Sequence, residues 1–258
     1  MLTPEQHPWV ADATTADVQY AIASTRRERA AAFGLVYGAY LEAGLGQPNP
    51  WGMRVTPYQL LPTTEIFVAW LRSEPIFTMS LVVDGELGLP MEAIYGEEVG
   101  RLRRQGLLLA EVSCLADRRQ AARGFFPVFL RLSRLVAQYA WHRRIDQVLV
   151  ACHPKHARFH ERLLRFGRLG GQKAYPMVRN HPAVALSLDL TQLAWQHPES
   201  HRILFHETLP SRELQPQPIP PSDREFFSAM VDTSLSCVPV GSDREESSER
   251  EAYAVSGG

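Results

Sequence analysis

"LLLAEVSCLADRRQAARG", residues 107–124, decides how this chain is read. An apolar run of strand length passes straight into a basic loop. Glu111 interrupts the run, standing among Leu107, Leu108, Leu109, Ala110 and Val112. Alternate residues of a strand share a face, so Leu109, Glu111, Ser113 and Leu115 are expected to point one way. Ala110, Val112, Cys114 and Ala116 then point the other, forming a small apolar face suited to packing under a helix. An unpaired carboxylate in a core is costly, or holds its proton to higher pH. Glu111 is therefore either a paired structural group or a tuned acid–base residue, and the residues alone weigh the two equally.

Downstream, Arg118, Arg119 and Arg123 lie between the strand end and a helix start, with Gly124 at the junction. Free N–H groups at a helix N-terminus bind anions, and arginine adds charge and paired donors. A phosphate-bearing cofactor suits this place; a solvated basic turn is the alternative. The helix itself is expected over about 125–143, with Val128, Leu132, Leu135, Val136 and Tyr139 on its apolar face. A strand at 145–152 follows, then a loop and short helix, "HPKHARFHERLLRFG" (153–167), and two strand candidates, "GGQKAYPMV" and "AVALSLDL". His153, His156 and His160 lack the acidic partner of an HExxH pattern, so no metal site is expected. His153 and Pro154 read as a turn, and Phe159, Leu163 and Phe166 as packing residues.

Upstream, "MEAIYGEEVGRLRRQG" (91–106) reads as a helix ending at Gly106. "EIFVAWL" (65–71) and "IFTMSLVVD" (76–84) read as a hairpin turning at "RSEP". Residues 17–44 read as a helix, and the Pro- and aromatic-rich stretch after it as a loop. This order predicts a mixed α/β domain, a central sheet flanked by helices, over residues 17–208. Residues 1–16 are expected to be an irregular lead-in. Residues 209–258, proline-rich and then charged, are expected to be a mostly disordered tail. One short helix is expected in the tail, with Ser222 as N-cap. The alternative is a docking segment carried by Phe226, Phe227 and Met230.

The totals narrow the function. Of 258 residues 45% are hydrophobic, enough for a core, and the formal net charge of −1 argues against nucleic acid as a partner. Three dispersed cysteines fit neither a disulfide scaffold nor a zinc site. No signal peptide and no transmembrane segment is read, and a cytoplasmic location is expected.

In order, "FGLVYGAYLEAGL", "DGELGLPMEAIYGEEVGRLRRQG", "AEVSCLADRR", "ACHPKHARFHERLLRFGRLGGQKAY" and "NHPAVALSLDL" resemble the long-chain N-acyl amino acid synthases. That family is related to the autoinducer synthases and to GNAT acyltransferases, so the resemblance implies a GNAT-like acyltransferase fold. It implies transfer of a long-chain fatty acyl group from the phosphopantetheine thioester of acyl carrier protein to the α-amine of a free amino acid, with no tightly bound cofactor. Glu111 matches the glutamate at this strand position in autoinducer synthases and would act on the amine, directly or through water, with Ser113 beside it. Arg118, Arg119, Arg123 and Gly124 would hold the donor's phosphate, and Arg101, Arg103 and Arg104 would face the acidic carrier. His160 stands where many GNAT enzymes have a tyrosine; either it protonates the departing thiolate or the general acid is absent. Cys114 replaces the arginine common in autoinducer synthases, which argues against a homoserine-lactone product. "DRRQAARG" has one glycine where acetyl-CoA users have a richer loop, which fits a carrier-protein donor over acyl-CoA. Two alternatives remain: an acetyl-CoA-dependent N-acetyltransferase, and a catalytically silent adaptor that binds acyl carrier or lipid.

Overall fold

A computed structural model describes residues 17–118 and 122–235. Strands β1 (Val18–Ile22), β2 (Thr64–Leu71), β3 (Glu74–Val83), β4 (Leu109–Asp117), β5 (Gln147–Cys152), β6 (Gly167–Tyr175) and β7 (His181–Asp189) form one sheet, ordered β1-β2-β3-β4-β5-β7-β6. Neighbours run antiparallel except β4 and β5, which are parallel. Helices α1 (Arg26–Glu42) and α2 (Glu92–Arg104) cover one face. Helix α3 (Ala122–His142), the crossover from β4 to β5, covers the other. Short helices α4 (Pro154–Phe159), α5 (Leu193–Gln196) and α6 (Pro198–Phe205) follow, and after α7 (Pro221–Ser228) a single turn at Thr233–Leu235 ends the described chain.

The single helix expected over 17–44 is a strand followed by a helix. Val18, Tyr20 and Ile22 alternate with polar or small residues, and this segment pairs with β2, Tyr20 opposite Ala69. A capping box then fixes the start of α1: Thr25 accepts the Glu28 N–H, and the Glu28 carboxylate accepts the Thr25 N–H at 3.0 Å. The β2–β3 hairpin turns at Arg72 and Ser73, both at positive φ (50° and 68°), as a tight right-twisted turn requires.

The domain does not end at residue 208. Leu209 and Leu214 are buried in the core on the α3 side. Residues 217–231 then form a strap across α1. The Arg29 guanidinium is buried and donates to the carbonyls of Gln217 (2.8 Å) and Ser24 (3.0 Å), and to Asp223 at 3.3 Å. Arg26 pairs with the same aspartate at 2.8 Å. Phe227 is fully buried, its ring edge-on to Phe33 at 5.0 Å. Val231 bridges to Val55. The expectation of a disordered tail is corrected for residues 209–235. Prolines lower the entropy lost on ordering, and a buried guanidinium meets the strap's carbonyls. Within the strap α7 is capped by Pro220 with Pro221 in its first turn, so Ser222 is not the N-cap. Phe227 acts as an anchor while Phe226 stays exposed.

Candidate active site

Strand β4 is flat only as far as Ser113. Ser113 opposes Ser80 and Ala116 opposes Thr78, so Cys114 and Leu115 together face the single residue Met79. This is a β-bulge, and Cys114 takes φ 51° to make it, at a cost of about 1–2 kcal/mol for a residue with a side chain. The bulge reverses the alternation expected from sequence. Glu111 and Ser113 share a face as expected, but Cys114 and Ala116 join that side and pack on α1. Leu115 crosses to the α3 side with Val112.

On its other edge β4 leaves its neighbour. It pairs with β5 at Leu109–Gln147, Ala110–Val148 and Glu111–Leu149. Beyond that point β5 runs on against β7 as far as Cys152, while β4 runs on against β3. A V-shaped slot opens with Glu111 at its apex.

On the α1–α2 side of the apex, Glu111 is 2% exposed and accepts one hydrogen bond, from the Met91 N–H at 2.7 Å. Burial raises the carboxyl to about 8, the Met91 N–H opposes the rise, and the negative charge of Glu92 adds to it. Around it stand groups the sequence reading passes over. The Arg54 guanidinium lies 4.8 Å from the Tyr40 ring centroid. Its Nη2 donates to the Met177 carbonyl at 2.7 Å, and its Nε is buried without a hydrogen-bond partner. Burial raises the Tyr40 hydroxyl, and the charges of Cys114, Arg54 and Glu111 all act on it. Burial also raises the Cys114 thiol, against the pull of Arg54. Tyr40 lies within the stretch 17–44 that the sequence reads as a helix. The signal for Arg54 is a lone cation in the aromatic loop "NPWGMRVTPY".

On the α3 side the slot opens over a narrow apolar cavity of about 50 Å³. Val112 and Leu115 of β4, Val148 and Val150 of β5, and Phe129 and Val136 of α3 line it, as does His160. His160 thus lies across the sheet from Glu111. It begins a turn of π-helix (His160–Leu164) and is ringed by Phe129, Phe159 and Phe166. Burial pushes its imidazole down to about 4, so it is neutral at physiological pH. An imidazolium ready to protonate a thiolate, as the resemblance implies, is absent there.

Of the expected phosphate anchors, Arg118 has a described side chain. Arg118 is exposed and pairs with Glu74 at 2.6 Å. Arg119 lies outside the described residues. Arg123 and Gly124 fall in the first turn of α3. Arg103 is bound at 2.8 Å to each oxygen of Asp84 and at 2.7 Å to Glu92, which raises its affinity for the proton. It is committed to the α2 surface rather than free for a partner, while Arg101 and Arg104 stand exposed or nearly so. His153 caps α4, its Nδ1 accepting the Lys155 N–H at 3.2 Å. Among the described residues no three His, Cys, Asp or Glu converge on a metal position, and no helix is long and apolar enough to cross a membrane.

A mixed sheet whose one parallel pair splays beyond a bulged, carboxylate-bearing strand is the frame of a GNAT-type acyltransferase. The family model of the N-acyl amino acid synthase FeeM matches residues 31–189. The chain belongs to that family and is an N-acyltransferase. FeeM itself, an N-acyl amino acid synthase from uncultured soil microbes, is similar at 29% identity and a TM-score of 0.62, over 70% of this chain and 94% of that one. The AHL synthase LasI (15%, TM-score 0.54, 75% and 96% covered) shares the fold. So does the CoA-dependent acyl-homoserine lactone synthase BjaI, solved with SAM and isopentyl-CoA (17%, TM-score 0.50, 82% and 98%). A comparison with the curated proteins gives no match.

Proposed function

We propose that this enzyme moves a long-chain fatty acyl group from the thioester of acyl carrier protein to the α-amine of a free amino acid. The observation that carries the reading is Glu111 at the apex of the β4–β5 slot, with Tyr40, Arg54 and Cys114 on one side and an apolar cavity on the other. The acyl chain occupies the cavity, and the thioester carbonyl sits in the slot. Beyond Glu111 the β5-side edge of β4 has no paired strand, and a backbone N–H on that edge can polarise that carbonyl. The acceptor enters from the α1–α2 side. Glu111, near 8, is matched to taking a proton from an ammonium group close to neutral pH. The freed amine attacks the carbonyl, the C–S bond breaks as the proton held by Glu111 passes to the departing thiolate, and Glu111 then takes the second proton from the acylated nitrogen and releases it to solvent. The unpaired Nε of Arg54 faces no anion among the described side chains and fits the acceptor's carboxylate.

The test is to incubate the purified full chain with long-chain acyl carrier protein, long-chain acyl-CoA or acetyl-CoA, each with a mixture of amino acids. Products are identified by mass spectrometry. N-acyl amino acids formed fastest from the carrier thioester are expected. Faster turnover of acetyl-CoA, or no N-acyl product at all, refutes the reading.

A further inference from the structure

The cavity under the slot has two polar side chains in an otherwise apolar wall, Ser133 and His160. His160 is 9% exposed, and its Nδ1 is buried without a hydrogen-bond partner. The rings around it, Phe166 at 5.5 Å, Phe159 at 5.7 Å and Phe129 at 5.9 Å between centroids, pack edge-on. A buried polar atom left unpaired costs roughly 1–3 kcal/mol. A wall that only had to hold hydrocarbon would be more stable with leucine or phenylalanine there. Ser133 lies one helical turn beyond Phe129 on α3, and Phe129, Val136 and Ala137 line the same cavity. The two polar groups therefore stand on the wall of the same cavity, within reach of whatever fills it.

We propose that the cavity selects an acyl chain carrying one hydroxyl group, and that His160 and Ser133 are the residues that read it. The inference rests on the acyl-transfer reading above and names the class of chain that site prefers. A neutral imidazole offers one donor and one acceptor, and serine offers both. A hydroxyl answers either tautomer, whereas a keto oxygen only accepts. An unsubstituted chain would leave these groups unpaired or holding a water.

The experiment uses the full chain and a series of acyl thioesters of equal length, either unsubstituted or hydroxylated at successive carbons. In parallel, the matching free fatty acids are compared by thermal shift. One hydroxyl position is expected to raise kcat/KM about tenfold or more over the unsubstituted chain. The same position is expected to give the larger thermal shift. His160→Phe and Ser133→Ala should each bring the preference toward unity by slowing the hydroxylated donor more than the plain one. Equal or faster turnover of the unsubstituted chain against every position overturns the inference while leaving acyl transfer standing. A preference that persists in both variants overturns the assignment to these residues. If no thioester is turned over, the proposed function fails, and the thermal shifts of the wild-type protein still decide whether the cavity prefers a hydroxylated chain.

Discussion

Glu111→Gln keeps the side chain's shape and an oxygen for the Met91 N–H while removing the titratable proton. The carboxyl goes from the ordinary 4.5 to about 8 on folding, so between those values the native state binds more protons than the unfolded chain. Stability therefore falls as pH rises through this window. The Glu111 contribution is unimpaired below about 4.5, and the full penalty is present above about 8. At about 1.4 kcal/mol per pH unit the penalty reaches ~4–5 kcal/mol as an upper bound. Glutamine has no such window. Urea unfolding at pH 5.5, 7 and 8.5 should show the variant gaining on the wild type by up to ~1.4 kcal/mol per pH unit, becoming the more stable protein at the alkaline end. Its acyl transfer should fall by roughly 10²–10⁴, and the wild-type kcat/KM should rise toward a plateau above pH 8. Parallel stability profiles for the two proteins would show that Glu111 is not a buried, proton-retaining group. Undiminished transfer by the variant would remove it from the chemistry.

The remaining predictions concern the surrounding parts. Phe227→Ala, which empties a fully buried site against Phe33, should cost about 3–5 kcal/mol in chemical denaturation. Arg54→Met keeps the stem against Tyr40 but loses the guanidinium; KM for the amino acid should rise about tenfold or more with KM for the acyl donor little changed, by steady-state kinetics. Arg118→Ala should change stability by less than about 1 kcal/mol, because its pair with Glu74 is solvent-exposed; a larger thermal shift would contradict that placement.

The frame is legible in the sequence because its signals are local. A carboxylate in a run of leucines is an anomaly within five residues, and that anomaly alone marks β4. Strands alternating with helices give the sheet, and the order of motifs gives the family. The bulge is not legible, because nothing in "VSCLA" announces that two residues will face one. Cys114 occupies a backbone conformation that glycine would have signalled. The α1 N-terminus is misread for a related reason: the capping box "TRRE" is present, but "VQYAI" before it suits a helix about as well as a strand until β2 supplies a partner. Arg54 and Tyr40 become site residues only because the fold brings a loop and a helix to the same face as Glu111, and no spacing in the chain records that.

The segment that carries the family's signature is not the segment that folds. Residues 31–189 match the family model. Yet Val55, next to Arg54, is bridged to Val231, and its carbonyl accepts the Asp232 N–H at 3.1 Å. The loop bearing the acceptor-side cation is therefore hemmed by the far end of the chain. Two parts of the molecule more than a hundred residues apart in sequence share control of one wall of the site. Changes near the C-terminus can thus reach substrate choice without touching any residue the chemistry uses, and a fragment cut to the matched boundaries would lose that wall along with the cover over α1.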